Sequence, residues 1–214
     1  MTTASGSYSG EDKRCAKRAS LMLRRAKLVC QSGEYLCLIR DVSQQGVGLG
    51  FLHDVPPEPR TLLQLANELT YPVERVWTGK RQAGYRFAAE VCLDEFLREN
   101  SQFECRPLRL QMSGQARIGE GRDVYDARLL DLSCEGAKFT CPTKLSVGKL
   151  VRFDLDGLPS QLGQVRWVEG NRHGLRFQQP ATTEELAACA LHLQPFGQTR
   201  STGFSKLLAR ARAA

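Results

Sequence analysis

Asp41-Val42-Ser43-Gln44-Gln45-Gly46-Val47-Gly48-Leu49-Gly50-Phe51 is the stretch on which the fold turns. Its first six residues form a DxSxxG turn, in which Asp and Ser are suited to satisfying backbone amides. The remainder alternates apolar residues with glycine, as a strand does where a second backbone comes close. A shift of 90 residues brings the same turn back as Asp131-Leu132-Ser133-Cys134-Glu135-Gly136. In that register Trp77 falls on Trp167, and Gly84, Arg86 and Phe87 fall on Gly174, Arg176 and Phe177. Ala26-Lys27-Leu28 likewise meets Ala116-Arg117-Ile118. The chain has only two tryptophans, and one gapless shift uses both. Internal repetition of this kind makes the chain two copies of one domain.

Working outward from the turn, residues 21–30 and 35–42 read as strands joined by a tight turn at Gln31-Ser32-Gly33-Glu34. Downstream, Pro56, Pro57 and Pro59 mark a loop, and residues 62–69 are apolar enough for either a strand or a short helix. Residues 73–77 and 84–91 return to strand character, separated by a basic turn over 78–82. Short strands at regular spacing with turn residues between them predict an all-β barrel or sandwich in each copy. Trp77, Trp167, Phe87 and Phe177 are expected in the cores. A brief helix is expected over 94–100. A longer one is expected over 182–193, where Thr182 and Glu185 match a capping box and Leu186, Cys189, Ala190 and Leu193 share one face. That face is expected to cover the second barrel or a partner, and Pro195 and Gly197 end the helix.

Length and composition narrow the class. At 214 residues, two domains of about 100 residues can each bury a core. The chain is 42% hydrophobic and 25% charged, which is ordinary for a globular protein. There is no apolar run of membrane-spanning length and no signal-peptide h-region, so the expected address is the cytoplasm, without membrane insertion. The eight cysteines include no CxxC pair and the three histidines are scattered, which argues against zinc. Cys30, Cys37, Cys134 and Cys141 read as small buried hydrophobes. No GxSxG elbow, P-loop, HExxH or paired-carboxylate motif is present, so the chain is not expected to be an enzyme. The net charge of +7 predicts anionic company. It is concentrated at Lys13, Arg14, Lys17, Arg18, Arg24, Arg25 and Lys27, and in a basic tail with Arg200, Lys206, Arg210 and Arg212. The basic runs carry no interleaved aromatics, which weighs against nucleic acid.

An RxxxR pair (Arg14 and Arg18), two strands, DxSxxG, a Val76-Trp77 strand and a Gly84-Tyr85-Arg86-Phe87 strand, in that order, resemble a PilZ domain, the bacterial receptor module for cyclic di-GMP. The resemblance is full over 12–95 and weaker over 105–193. It implies two tandem six-stranded β-barrels with short helices at the domain ends. The implied layout is a flexible N-terminus over 1–11, a PilZ domain with both motifs over 12–98, and a linker over 99–104. A degenerate PilZ domain lacking RxxxR then occupies 105–195, and a basic tail 196–214.

By resemblance, cyclic di-GMP is the ligand, held by Arg14, Arg18, Asp41, Ser43 and Gly46, with no metal and no other cofactor. The residue types suit it. Guanidinium forks fit phosphate oxygens and guanine O6 and N7, a carboxylate accepts from guanine N–H groups, and glycine leaves room for close approach. In the 90-residue register Glu104 and Leu108 stand in the places of Arg14 and Arg18. The second copy is therefore expected to pack against the first, to dimerise or to engage a downstream protein partner, rather than to bind the nucleotide. The competing readings are a ligand-independent PilZ-type adaptor and a basic nucleic-acid-binding protein.

Overall fold

The computed structural model describes residues 19–97 and 107–198, with side chains from residue 24 onward. The first copy is a closed barrel in the order β1-β2-β3-β6-β5-β4. Its strands are β1 (Ala19–Val29), β2 (Glu34–Val42), β3 (Gly46–Gly50), β4 (Arg60–Gln64), β5 (Thr70–Gly79) and β6 (Gln82–Phe87), followed by α1 (Leu93–Leu97). The ambiguous stretch after the prolines is thus a strand that stops at a turn around Glu68, whose φ is 69°. The second copy has β7 (Leu110–Gln111), β8 (Gln115–Glu120), β9 (Asp123–Ser133), β10 (Gly136–Thr140), β11 (Leu150–Leu155), β12 (Leu158–Glu169) and β13 (Arg172–Phe177). It closes the same ring through β10–β9 pairing, with β7 added alongside β9. Two six-stranded antiparallel barrels result.

The last helix, α2 (Thr183–Leu193), begins at the expected capping box, with Thr182 and Glu185 each bonded to the other's backbone. Its Leu186, Ala187, Cys189 and Ala190 enter the second barrel's core, while Leu191 packs against the first. The helix covers one barrel and touches both. Among the described residues no helix is long and apolar enough to cross a membrane, and no cluster is suited to a metal ion. Cys30, Cys37, Cys134 and Cys141 are buried as expected.

The barrels share a packed junction built on β2. A strand with one wet face should alternate, but Glu34, Tyr35, Leu36 and Cys37 are all buried. Tyr35 and Cys37 face the first core, while Leu36 belongs to the second. Lys27 donates to Glu34 at 2.6 Å with both side chains almost fully buried. The same ammonium donates to the Arg109 carbonyl at 2.8 Å, and Glu34 also accepts from the Gln111 amide at 2.8 Å. Gln194 accepts from the Glu34 amide at 3.0 Å and its carbonyl accepts from the Tyr35 hydroxyl at 2.8 Å. A buried ion pair is tolerated only when its remaining valences are met. Here the second barrel's backbone meets them.

Candidate functional site

The DxSxxG turn has two layers. Ser43 is 7% exposed and turns its hydroxyl inward, accepting from the Gly46 amide at 3.2 Å and lying 3.3 Å from the Gly46 carbonyl. Ser133 does the same in the second copy, donating to the Gly136 carbonyl at 3.1 Å. A Cβ on Gly46 would stand 2.7 Å from the Tyr85 carbonyl oxygen, and one on Gly136 would strike that of Leu175. Serine and glycine therefore close the turn and let β6 or β13 approach, in both copies alike. Asp41 differs from them in lying on the barrel's outer face.

From Asp41 a row of paired residues crosses four strands. Asp41 pairs with Gly48, Gly48 with Gly84, and Gly84 with Trp77. The two outer side chains lean inward over the glycines. A Cβ on Gly48 would stand 2.5 Å from Asp41 Oδ2, and one on Gly84 would collide with the Trp77 indole. Trp77 nevertheless remains 46% exposed. The result is a flat indole laid on the sheet, with a carboxylate about one interstrand spacing away, roughly 5 Å. Arg86 and Arg40 stand in the adjoining rows, bonded to Glu74 and Gln82 respectively.

The expectation that both tryptophans are core residues is corrected, for Trp167 is also 39% exposed. Counting alternate positions from buried Val73 puts Trp77 inside, but a bulge between Arg75 and Trp77 adds one residue and turns the ring outward. The second copy has the same bulge between Val165 and Trp167. Phe87 and Phe177 are buried as expected.

In the second barrel the row reads Asp131, Lys138, Gly174, Trp167. Lys138 replaces Gly48, and its ammonium lies 6.0 Å from the centre of the Trp167 ring, within cation–π range. Asp131 is held by Arg109 at 2.7 Å. In the second barrel a cation thus lies over the indole and another is paired with the carboxylate, where the first barrel has glycine at the position of Lys138. Gly48, Gly84, Trp77 and Lys138 were not among the sequence candidates. The signal was present in the repeat, where Gly48 aligns with Lys138 inside an otherwise matching strand.

Strand pairing also shows a change of register between the copies at the start of β1. Ala19 and Ser20 pair with Val42 and Asp41, whereas Leu110 and Gln111 pair with their counterparts Leu132 and Asp131. Upstream of this point the copies are therefore offset by 91 residues, because the irregularity in β1 holds one residue more than the gap between β7 and β8. Carried upstream along the sequence alone, this offset aligns Arg109 with Arg18 and Cys105 with Arg14. In that alignment the second copy still lacks the RxxxR pair, having cysteine in place of the first arginine. Arg14 and Arg18 themselves lie outside the described residues.

The PilZ domain family model matches residues 96–191. That span holds the second barrel, the copy in which the sequence likeness is the weaker; the first barrel is tied to it by identical strand order. No curated protein matches the chain. Among solved structures, the chain is similar to the Borreliella burgdorferi PlzA protein in complex with c-di-GMP, at 14% identity, covering 78% of this chain and 86% of that one, with a TM-score of 0.32. It is similar to YcgR of Escherichia coli in complex with c-di-GMP, at 12% identity over 88% and 86%, with a TM-score of 0.33. It is also similar to the Bacillus subtilis inhibitor of motility MotI/DgrA, at 10% identity over 79% and 94%, with a TM-score of 0.36.

Proposed function

Since this chain is a PilZ-domain protein whose two barrels share one strand order, we propose that it is a non-catalytic receptor for cyclic di-GMP, which it binds on the first barrel. A guanine stacks on the exposed face of Trp77 while Asp41 accepts from the base's N–H groups. Arg14 and Arg18 fork onto phosphate oxygens or onto guanine O6 and N7. Ser43 and Gly46 hold the turn that places Asp41. The reading takes Arg18 to reach the turn's aspartate from the same position as Arg109, which is bonded to Asp131.

The contrast between the two rows carries this reading. One fold keeps glycine at position 48, in the row between Asp41 and Trp77, in the copy that carries an RxxxR pair, and sets Lys138 there, over the Trp167 indole, in the copy that lacks the pair. A charge-assisted hydrogen bond contributes roughly 1.5–3 kcal/mol and base stacking about 1–3 kcal/mol. Three or four such contacts reach the roughly 8 kcal/mol of micromolar binding even after the losses of association and loop ordering.

The output follows from the chain's layout. The arginines precede β1, and β1 carries Lys27 of the junction. Ligand that engages the arginine segment on the first barrel thereby biases the relation between the barrels, or their engagement of a downstream protein. Calorimetry of the full chain with cyclic di-GMP, against GTP and cyclic GMP, tests the reading. One class of site is expected on the first barrel, with affinity reduced about tenfold or more in Arg14→Ala and in Arg18→Ala. Equal binding by wild type and both variants, or two equivalent sites per chain, overturns it.

A further inference from the structure

The outer face of each barrel carries a second cross-strand triad, one row beyond the indole. In the first barrel it is Arg60, Glu74 and Arg86. Glu74 pairs in register with both arginines, taking Arg60 at 3.2 Å and Arg86 at 3.4 Å. The same three places in the second barrel hold Leu150, Gln164 and Arg176. The carboxylate has become a neutral amide and one cation has become an apolar side chain.

The exchange leaves charge and apolar surface uncompensated. Gln164 donates to the Gly148 carbonyl at 3.0 Å and accepts from Arg166 at 3.3 Å. Neither Arg166 nor Arg176 has a carboxylate partner among the described residues. Around them Leu150 is 47%, Leu162 50% and Val147 64% exposed. Leu150, Gln164, Arg166, Arg176 and Gln178 line a surface groove of about 400 Å³.

We propose that this groove docks an extended acidic segment of a partner protein, with a carboxylate between Arg166 and Arg176 and an apolar side chain against Leu150 and Leu162. Charge complementarity selects the occupant. The chain's own tail, with Arg200, Lys206, Arg210 and Arg212, has the wrong sign. A two-fold contact with a second copy sets each arginine close to like charge. A sugar-phosphate backbone satisfies the arginines but leaves the leucines uncovered. The groove is distinct from the nucleotide site, and the proposal stands whether or not cyclic di-GMP binds.

Amide NMR of the full-length protein tests it, with three probes: a capped peptide alternating leucine and glutamate, the same peptide with lysine for glutamate, and oligodeoxythymidine. The acidic peptide is expected to shift Gln164, Arg166, Arg176 and Gln178, and the lysine peptide is not. Gln164→Glu rebuilds one of the first barrel's two ion pairs, with Arg176 in the place of Arg86, at an exposed position, so it should fold normally and weaken the acidic peptide about threefold to tenfold. Arg176→Glu is expected to reverse the preference toward the lysine peptide. Failure of the acidic peptide to shift the groove, equal shifts from both peptides, unchanged binding by Gln164→Glu, or tighter occupation of the groove by oligodeoxythymidine would each overturn the proposal.

Discussion

At the scale of single residues, Trp77 shows how one inserted position changes a side chain's work. Its ring rests on Gly84 with the other face toward solvent. Trp77→Ala is expected to weaken cyclic di-GMP binding about tenfold or more, as loss of a stacking platform does, while Trp77→Phe keeps most of the affinity; fluorescence titration distinguishes them. Two histidines set a pH dependence. His173 is fully buried, accepts from the Leu145 amide through Nε2 and stacks on Phe139. His53 is enclosed by the rings of Tyr35, Phe51 and Phe196. Burial holds both below the ordinary value of 6.5. The unfolded chain then binds protons more readily than the folded one, so stability is full above about pH 6.5 and is lost as pH falls through the lower folded values. Urea midpoints should drop from neutral to mildly acidic pH, and His173→Gln should shallow that slope.

At the scale of the strands, the difference between the barrels comes down to what fills one row. Gly48→Lys copies Lys138 into the first barrel, and the nearest atoms to its Cβ are those of the Asp41 carboxylate. The variant is expected to fold with a near-native melting temperature and to lose cyclic di-GMP binding by calorimetry. How much of this the sequence declared depends on where chain length changes. From β2 to β13 every turn and strand keeps one spacing, so Asp41, Gly46, Trp77 and Gly84 announced their counterparts directly. The arginines did not, because the extra residue of β1 is absorbed as an irregularity inside a strand and leaves no loop to read. Trp77 was misplaced for the same reason, since a bulge resets the alternation that sequence patterning assumes. Ser43 and Gly46 were legible as a motif, but their inward bonds could not be told from ligand contacts until Tyr85 and Gly46 were seen together.

At the scale of the whole molecule, the junction joins the two copies through a charge pair that neither owns alone. Lys27→Met leaves Glu34 buried without its cation, and unfolding in urea should show a loss of about 3–5 kcal/mol. Adding Glu34→Leu removes the stranded charge, so the double variant should recover part of that loss. The first four residues of β2, Glu34 to Cys37, leave no side for water. Whatever duplication first produced this chain, the daughters no longer have separate existences: scissors placed between them would bare a leucine and an acid meant for the sibling. Calorimetric melting of the intact protein should accordingly trace one cooperative peak, and either half expressed by itself should aggregate.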